Sequence, residues 1–185
     1  CSSAFAAETF VQSPAYKECT QLASTNPPRA LQKAEAWLKI DQGTAALHCR
    51  AMALYGLRRY DEAGEALSNV RIAIPNDSLA MRVYVTQQAV RAWTNANRAD
   101  AALSTISAQI SDMSSVKGDN ARAAKLTSEL LLSRARLNIT YGKLTEAVKD
   151  LDRAVSLTPL HEDLLLERAG VFQQLGDASL AKADT

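Results

Sequence analysis

The sequence is poor in the residues from which most sequence-readable chemistry is built. Two histidines, His48 and His161, and three cysteines, Cys1, Cys19 and Cys49, among 185 residues are too few for the usual multi-ligand zinc arrangements or a cysteine-rich scaffold. Aromatic residues make up only 5%, and 21 Lys plus Arg against 20 Asp plus Glu leave a formal net charge of +1. Such a balance supplies no field for gathering nucleic acid, an anionic membrane or an acidic substrate. No apolar run approaches the roughly 18 residues of a membrane-spanning helix. A Gly-rich phosphate loop, a His-Glu-x-x-His helix and a Cys-x-x-Cys pair are also missing. A Cys-His nucleophile built from His48 and Cys49 fails on geometry, since adjacent helical residues point about a hundred degrees apart. The expectation is a non-enzymatic chain with no cofactor and no metal.

What the chain does have is apolar residues, 47% of the total, enough for a compact core. They recur at helical spacing almost throughout, with no sustained apolar-polar alternation to suggest a sheet. Breakers divide the periodic segments: Asn26-Pro27-Pro28, Gln42-Gly43, Gly56, Pro75-Asn76-Asp77, Asn95 to Asn97, Lys117-Gly118-Asp119, Gly142, Pro159 and Gly176. The pattern predicts an all-α chain with ten helices at about 13–24, 27–41, 44–57, 60–73, 78–95, 98–112, 119–141, 144–156, 161–175 and 177–184, paired into five antiparallel hairpins. Residues 111–120 read as a solvated insertion.

Internal similarity sharpens the reading. Leu131-x-x-Arg134-Ala135 recurs 34 residues on as Leu165-x-x-Arg168-Ala169, and upstream as Leu47-x-x-Arg50-Ala51. After Ala135 come Gly142, Ala147, Leu151, Ala154 and Pro159. After Ala51 come Leu54, Tyr60, Ala63, Leu67, Val70 and Pro75, with Arg58 where a glycine would be expected, and the last unit has Ala169, Phe172, Gly176 and Ala181. In period and in these positions the chain resembles the tetratricopeptide repeat (TPR) family. The resemblance implies a right-handed α-α superhelix of about five helix hairpins over residues 13–185. The first hairpin, carrying Tyr16, Leu22, Ala30, Ala34 and Trp37, would serve as an N-terminal cap, and the first helix of each pair would line a concave face.

Projected onto that face are His48, Met52 and Tyr55, then Tyr84, Gln87 and Arg91, then Leu132, Arg136 and Ile139. The mixture suits an extended peptide or a partner helix, with Tyr and Met giving apolar contact and the arginines holding carboxylates or backbone carbonyls. His48, Met52, Gln87 and Leu132 depart from the lysine, asparagine and arginine clamp that the co-chaperone branch uses for a C-terminal carboxylate, so that ligand is not expected. Arg134 with Asp150, and Arg168 with Asp184, share one spacing and are read as structural ion pairs within a hairpin rather than as an anion site. Arg50 has Ala66 at the same offset. The glycosylation triplets at Asn76 and Asn138 are assigned no role.

Residues 1–12 are read as a residual export signal or N-terminal arm, because Ala4-Phe5-Ala6 offers the small residues a signal peptidase accepts. A chain opening Cys-Ser-Ser also resembles a processed lipoprotein with a lipid on Cys1. Cys19 and Cys49 fall on neighbouring predicted helices and are expected to form a disulfide, worth roughly 3–4 kcal/mol. Leader and cysteine pair together point to an oxidising compartment, the bacterial periplasm. The functional expectation is an interaction module presenting a helical groove to an envelope protein or peptide. The alternative is a lipid-anchored assembly factor for a secretion, pilus or outer-membrane machine, which would meet the membrane only through Cys1.

Overall fold

The structure is a computed structural model that describes residues 13–115, 120–159 and 161–184. Ten helices and no strand occur among the described residues: α1 (Pro14–Thr25), α2 (Pro27–Leu38), α3 (Thr44–Gly56), α4 (Tyr60–Ala73), α5 (Leu79–Asn95), α6 (Ala99–Ser114), α7 (Asn120–Thr140), α8 (Leu144–Leu157), α9 (Glu162–Gln174) and α10 (Ala178–Ala183). Most ends fall within about two residues of expectation. The exception is α2, which stops at Leu38, and Ile40 beyond it is 89% exposed. Of the expected insertion 111–120, residues 111–114 belong to α6 and Asn120 opens α7, while 116–119 lie outside the described residues.

Helix starts follow local chemistry. Ser13 Oγ accepts from the Tyr16 N–H at 3.2 Å and Asn26 Oδ1 from the Arg29 N–H at 3.3 Å, in each case ahead of a proline in the first turn. Helix ends repeat one motif. At Arg58, Asn97, Gly142 and Gly176 the backbone turns left-handed, with φ of 59°, 57°, 71° and 82°. In each turn that residue's N–H reaches a carbonyl three residues back, and the next N–H reaches one five back, as in Arg59 to Leu54 at 3.0 Å and Lys143 to Asn138 at 2.7 Å. Two of the four positions lack glycine, and there Cβ crowding costs about 1–2 kcal/mol.

The packing divides into two compact units, Cys1–Thr105 and Ile106–Thr185. In the first, α1 packs on α2 and α3, α2 on α3, α3 on α4, and α4 on α5. Its main core joins Ala51 and Leu54 of α3, Ala63, Leu67 and Val70 of α4, Ile74, and Val85, Ala89 and Ala92 of α5. The small residues set the helix spacing. Gly64 lies so close to Trp93 that a Cβ there would stand 2.5 Å from the indole. The first hairpin is pinned by the Cys19–Cys49 disulfide, whose Cα atoms are 5.9 Å apart, beside buried Ala34 and half-buried Trp37. Asn76 of one glycosylation triplet accepts from Arg82 Nη1 at 2.6 Å.

In the second unit α7 packs on α8, α8 on α9, and α9 on α10. Leu130, Leu131, Ala135, Ala147, Leu151, Ala154, Leu164, Val171 and Ala181 are buried. Arg134 forks onto Asp150 through Nε (2.9 Å) and Nη2 (2.5 Å), and its Nη1 donates to Ser107 Oγ at 2.9 Å. Asn138, of the other triplet, donates to the same aspartate at 3.2 Å. Arg168 grips Asp184 in the same way, at 2.7 and 2.6 Å, and adds Asp152 at 2.8 Å. Both expected ion pairs are therefore formed within their hairpins, as bidentate contacts.

Candidate functional site

The residues projected onto the inward face divide between the units, and each set is described within its own. In the first unit α3 brings Met52 and Tyr55, both half-buried. Tyr55 Oη accepts from Asn95 Nδ2 at 2.8 Å, and its ring meets Tyr60 edge-on at 5.3 Å. Residues spaced three and four apart share a helix face, which places Tyr84, Gln87 and Arg91 in one stripe of α5. Tyr84 is 51% exposed, Gln87 half-buried and Arg91 exposed. No ion pair holds Arg91 among the described residues.

His48 corrects the sequence reading. It is only 1% exposed, so it is sealed within the unit and offers no ligand contact. Its Nδ1 lies 2.6 Å from Tyr16 Oη, its Nε2 lies 2.6 Å from Gln88 Oε1, and Tyr84 covers it edge-on at 6.4 Å between ring centroids. A carboxamide oxygen can only accept, so Nε2 carries the proton and the Tyr16 hydroxyl donates to Nδ1. Burial holds the imidazole below its ordinary pKa, partly offset by the Gln88 bond. Burial and then Tyr84 push the Tyr16 phenol well above its ordinary range. Both rings are thus neutral, and every polar atom of the imidazole is satisfied. The sequence could not show this, because Tyr16 and Gln88 lie 32 and 40 residues away. The near-repeat spacing of those two polar residues about His48 was the available signal.

In the second unit Leu132 is half-buried and borders a recess of about 20 Å³ with Ser128, Thr158, His161 and Leu164. Arg136 is exposed and donates through Nε to Glu167 Oε1 at 2.7 Å. Ile139 borders an open hollow of about 310 Å³, whose other walls are Leu166, Glu167, Gly170, Val171 and Gln174 of α9. Sequence reasoning missed this α9 contribution, since it credited the last unit with packing residues alone.

Among the described residues no group of three or more His, Cys, Asp or Glu could hold a metal ion, and no helix is long and apolar enough to cross a membrane. The expected Cys1 lipid site and the export segment 1–12 lie outside the described residues.

No family model matches the sequence, and no curated protein is similar enough in sequence to count as a relative. Solved structures are similar in fold. TPR-like repeats of a putative kinesin light chain from Podosopora anserina align with a TM-score of 0.67 at 15% identity, covering 92% of this chain and 89% of that one. YrrB, a TPR protein with an unusual peptide-binding site, aligns at 0.59 and 16% identity, covering 96% and 89%. MamA residues 41 to the end from Desulfovibrio magneticus RS-1 aligns at 0.58 and 16% identity, covering 93% and 92%. Helix hairpins closed by one recurring left-handed turn, with small residues at the crossings and these structural neighbours, give this chain the tetratricopeptide-repeat fold.

Proposed function

We propose that the chain is an exported, non-enzymatic interaction module that takes up a peptide or partner protein on the inward faces of its first helices, in the bacterial periplasm. The observation that carries this is the α5 stripe. Tyr84 and Arg91 are hot-spot residue types, they stand exposed on one face, and among the described residues no ion pair holds Arg91. One edge of Tyr84 also packs on buried His48, which limits its freedom. That reduces the ordering cost of binding. YrrB, with its peptide-binding site, supplies a precedent on the same fold, by analogy alone. The Cys19–Cys49 disulfide supports an oxidising compartment, and the Ala4-Phe5-Ala6 segment supports export.

The test is capture from periplasmic extract followed by affinity measurement with the partner identified. Tyr84→Ala and Arg91→Ala should each weaken binding about ten- to hundredfold with an unchanged melting temperature. Undiminished capture by both variants would remove the stripe from the interface. The intact mass of the native protein separates a leader cut near Ala7 from a lipid carried on Cys1.

A further inference from the structure

Gly170 sits in the interior of α9, where glycine is disfavoured relative to alanine. None of the usual reasons for a glycine applies to it. Its φ is not positive, and a Cβ built on it meets nothing within 4 Å. The contrast with Gly56 and Gly64 is direct, since a Cβ would collide with the Ala23 carbonyl in one case and the Trp93 indole in the other. The open space above Gly170 is the hollow of about 310 Å³, walled on the apolar side by Ile139 and by Leu166, which is 60% exposed.

The polar groups at the rim restrict what could enter. Glu167, the one charged residue of its wall, is paired with Arg136 at 2.7 Å, so the wall presents little net charge to a ligand. Gln174 is exposed, and its carboxamide can donate to and accept from a peptide bond at once. A charged side chain would have to shed water against Ile139 and Leu166 without gaining a counter-ion. An apolar one gains contact with both.

We infer that this hollow is a side-chain pocket for an apolar residue of an uncharged peptide segment, with Gly170 as its floor and the residue that sets its specificity. The inference rests on the proposed peptide-binding role and adds the chemistry of what is bound. A second copy of this chain is the competing occupant.

The probe is a set of four C-amidated nine-residue peptide libraries, with flanks drawn from Ala, Ser, Thr, Gly and Gln and the central residue fixed as Leu, Phe, Lys or Asp. They are passed over the immobilised full chain, and retention is compared for wild type, Gly170→Ala and Gly170→Met. Wild type should retain the Leu and Phe libraries at least tenfold over Lys and Asp. Gly170→Met should abolish that preference. Gly170→Ala should reduce it while raising Tm by about 2 °C, since alanine is the better helix former. A purely structural glycine would not separate binding from stability in that direction. Equal retention of all four libraries by wild type, or a preference untouched by Gly170→Met, overturns the inference. So does a change in sedimentation showing that Gly170→Met alters self-association, which would assign the hollow to a second copy. If capture of the natural partner survives Gly170→Met but fails with Arg91→Ala, the pocket falls and the broader function stands.

Discussion

In the unit Cys1–Thr105 the first hairpin is tied to the next by a disulfide and by the neutral hydrogen bonds of a buried histidine. In the unit Ile106–Thr185 each hairpin is instead closed by an arginine on its first helix forked onto an aspartate on, or just after, its second. The sequence position is equivalent in both units. Arg50 matches Arg134 and Arg168, but Ala66 stands where the aspartate would be. The turns differ too, with Arg58 and Asn97 in the first unit against Gly142 and Gly176 in the second. The comparison teaches that hairpins alike in their small crossing residues are fastened differently, by bonds between neighbouring hairpins in the first unit and by an ion pair within each hairpin in the second.

The largest effect should come from the fastening that only one unit has. Replacing Cys19 and Cys49 together by alanine is expected to destabilise the first unit by roughly 3–4 kcal/mol. Hydrogen exchange should quicken in α1 and α3 and stay unchanged in α7 to α10. Equal acceleration in both units would show that the disulfide does not fasten the first unit alone.

Next comes the ionic fastening. Asp150→Ala leaves Arg134 and Asn138 without their shared acceptor, and should cost about 2–3 kcal/mol in urea unfolding, the low side of a buried-pair loss because Arg134 is partly exposed. Asp184→Ala should cost less, about 1 kcal/mol, since Arg168 keeps Asp152. The reverse order would show that the second aspartate of Arg168 is inert.

The smallest effect belongs to the turns. Arg58→Gly should stabilise by about 0.5–1 kcal/mol and Gly142→Ala destabilise by about 1 kcal/mol, because only the latter introduces a Cβ into a left-handed backbone. Thermal melts of the two variants moving in the same direction would break the equivalence of the four turns.

Much of the fold was legible because its determinants are local or periodic. Pro14 and Pro27 in first helical turns, Gly142 and Gly176 in turns, and the alanines at Ala63, Ala135 and Ala147 mark boundaries and crossings directly. The Arg134–Asp150 spacing was legible for the same reason, being one hairpin wide. The candidate site was less so. Helical projection offers His48 as a ligand contact, yet a projection along one helix does not show accessibility, because Tyr16 and Tyr84 close over it from two other helices. The α9 hollow was missed for a related reason. Gly170 reads as one more small residue until its empty surroundings are known.

The order of residues alone set where helices begin, turn and end, and which faces are greasy, since those follow from backbone preferences and a repeat of about one hairpin. Which side chains are spent on internal bonds and which stay exposed was decided only by packing, because that depends on neighbours thirty or more residues away whose reach no linear pattern encodes.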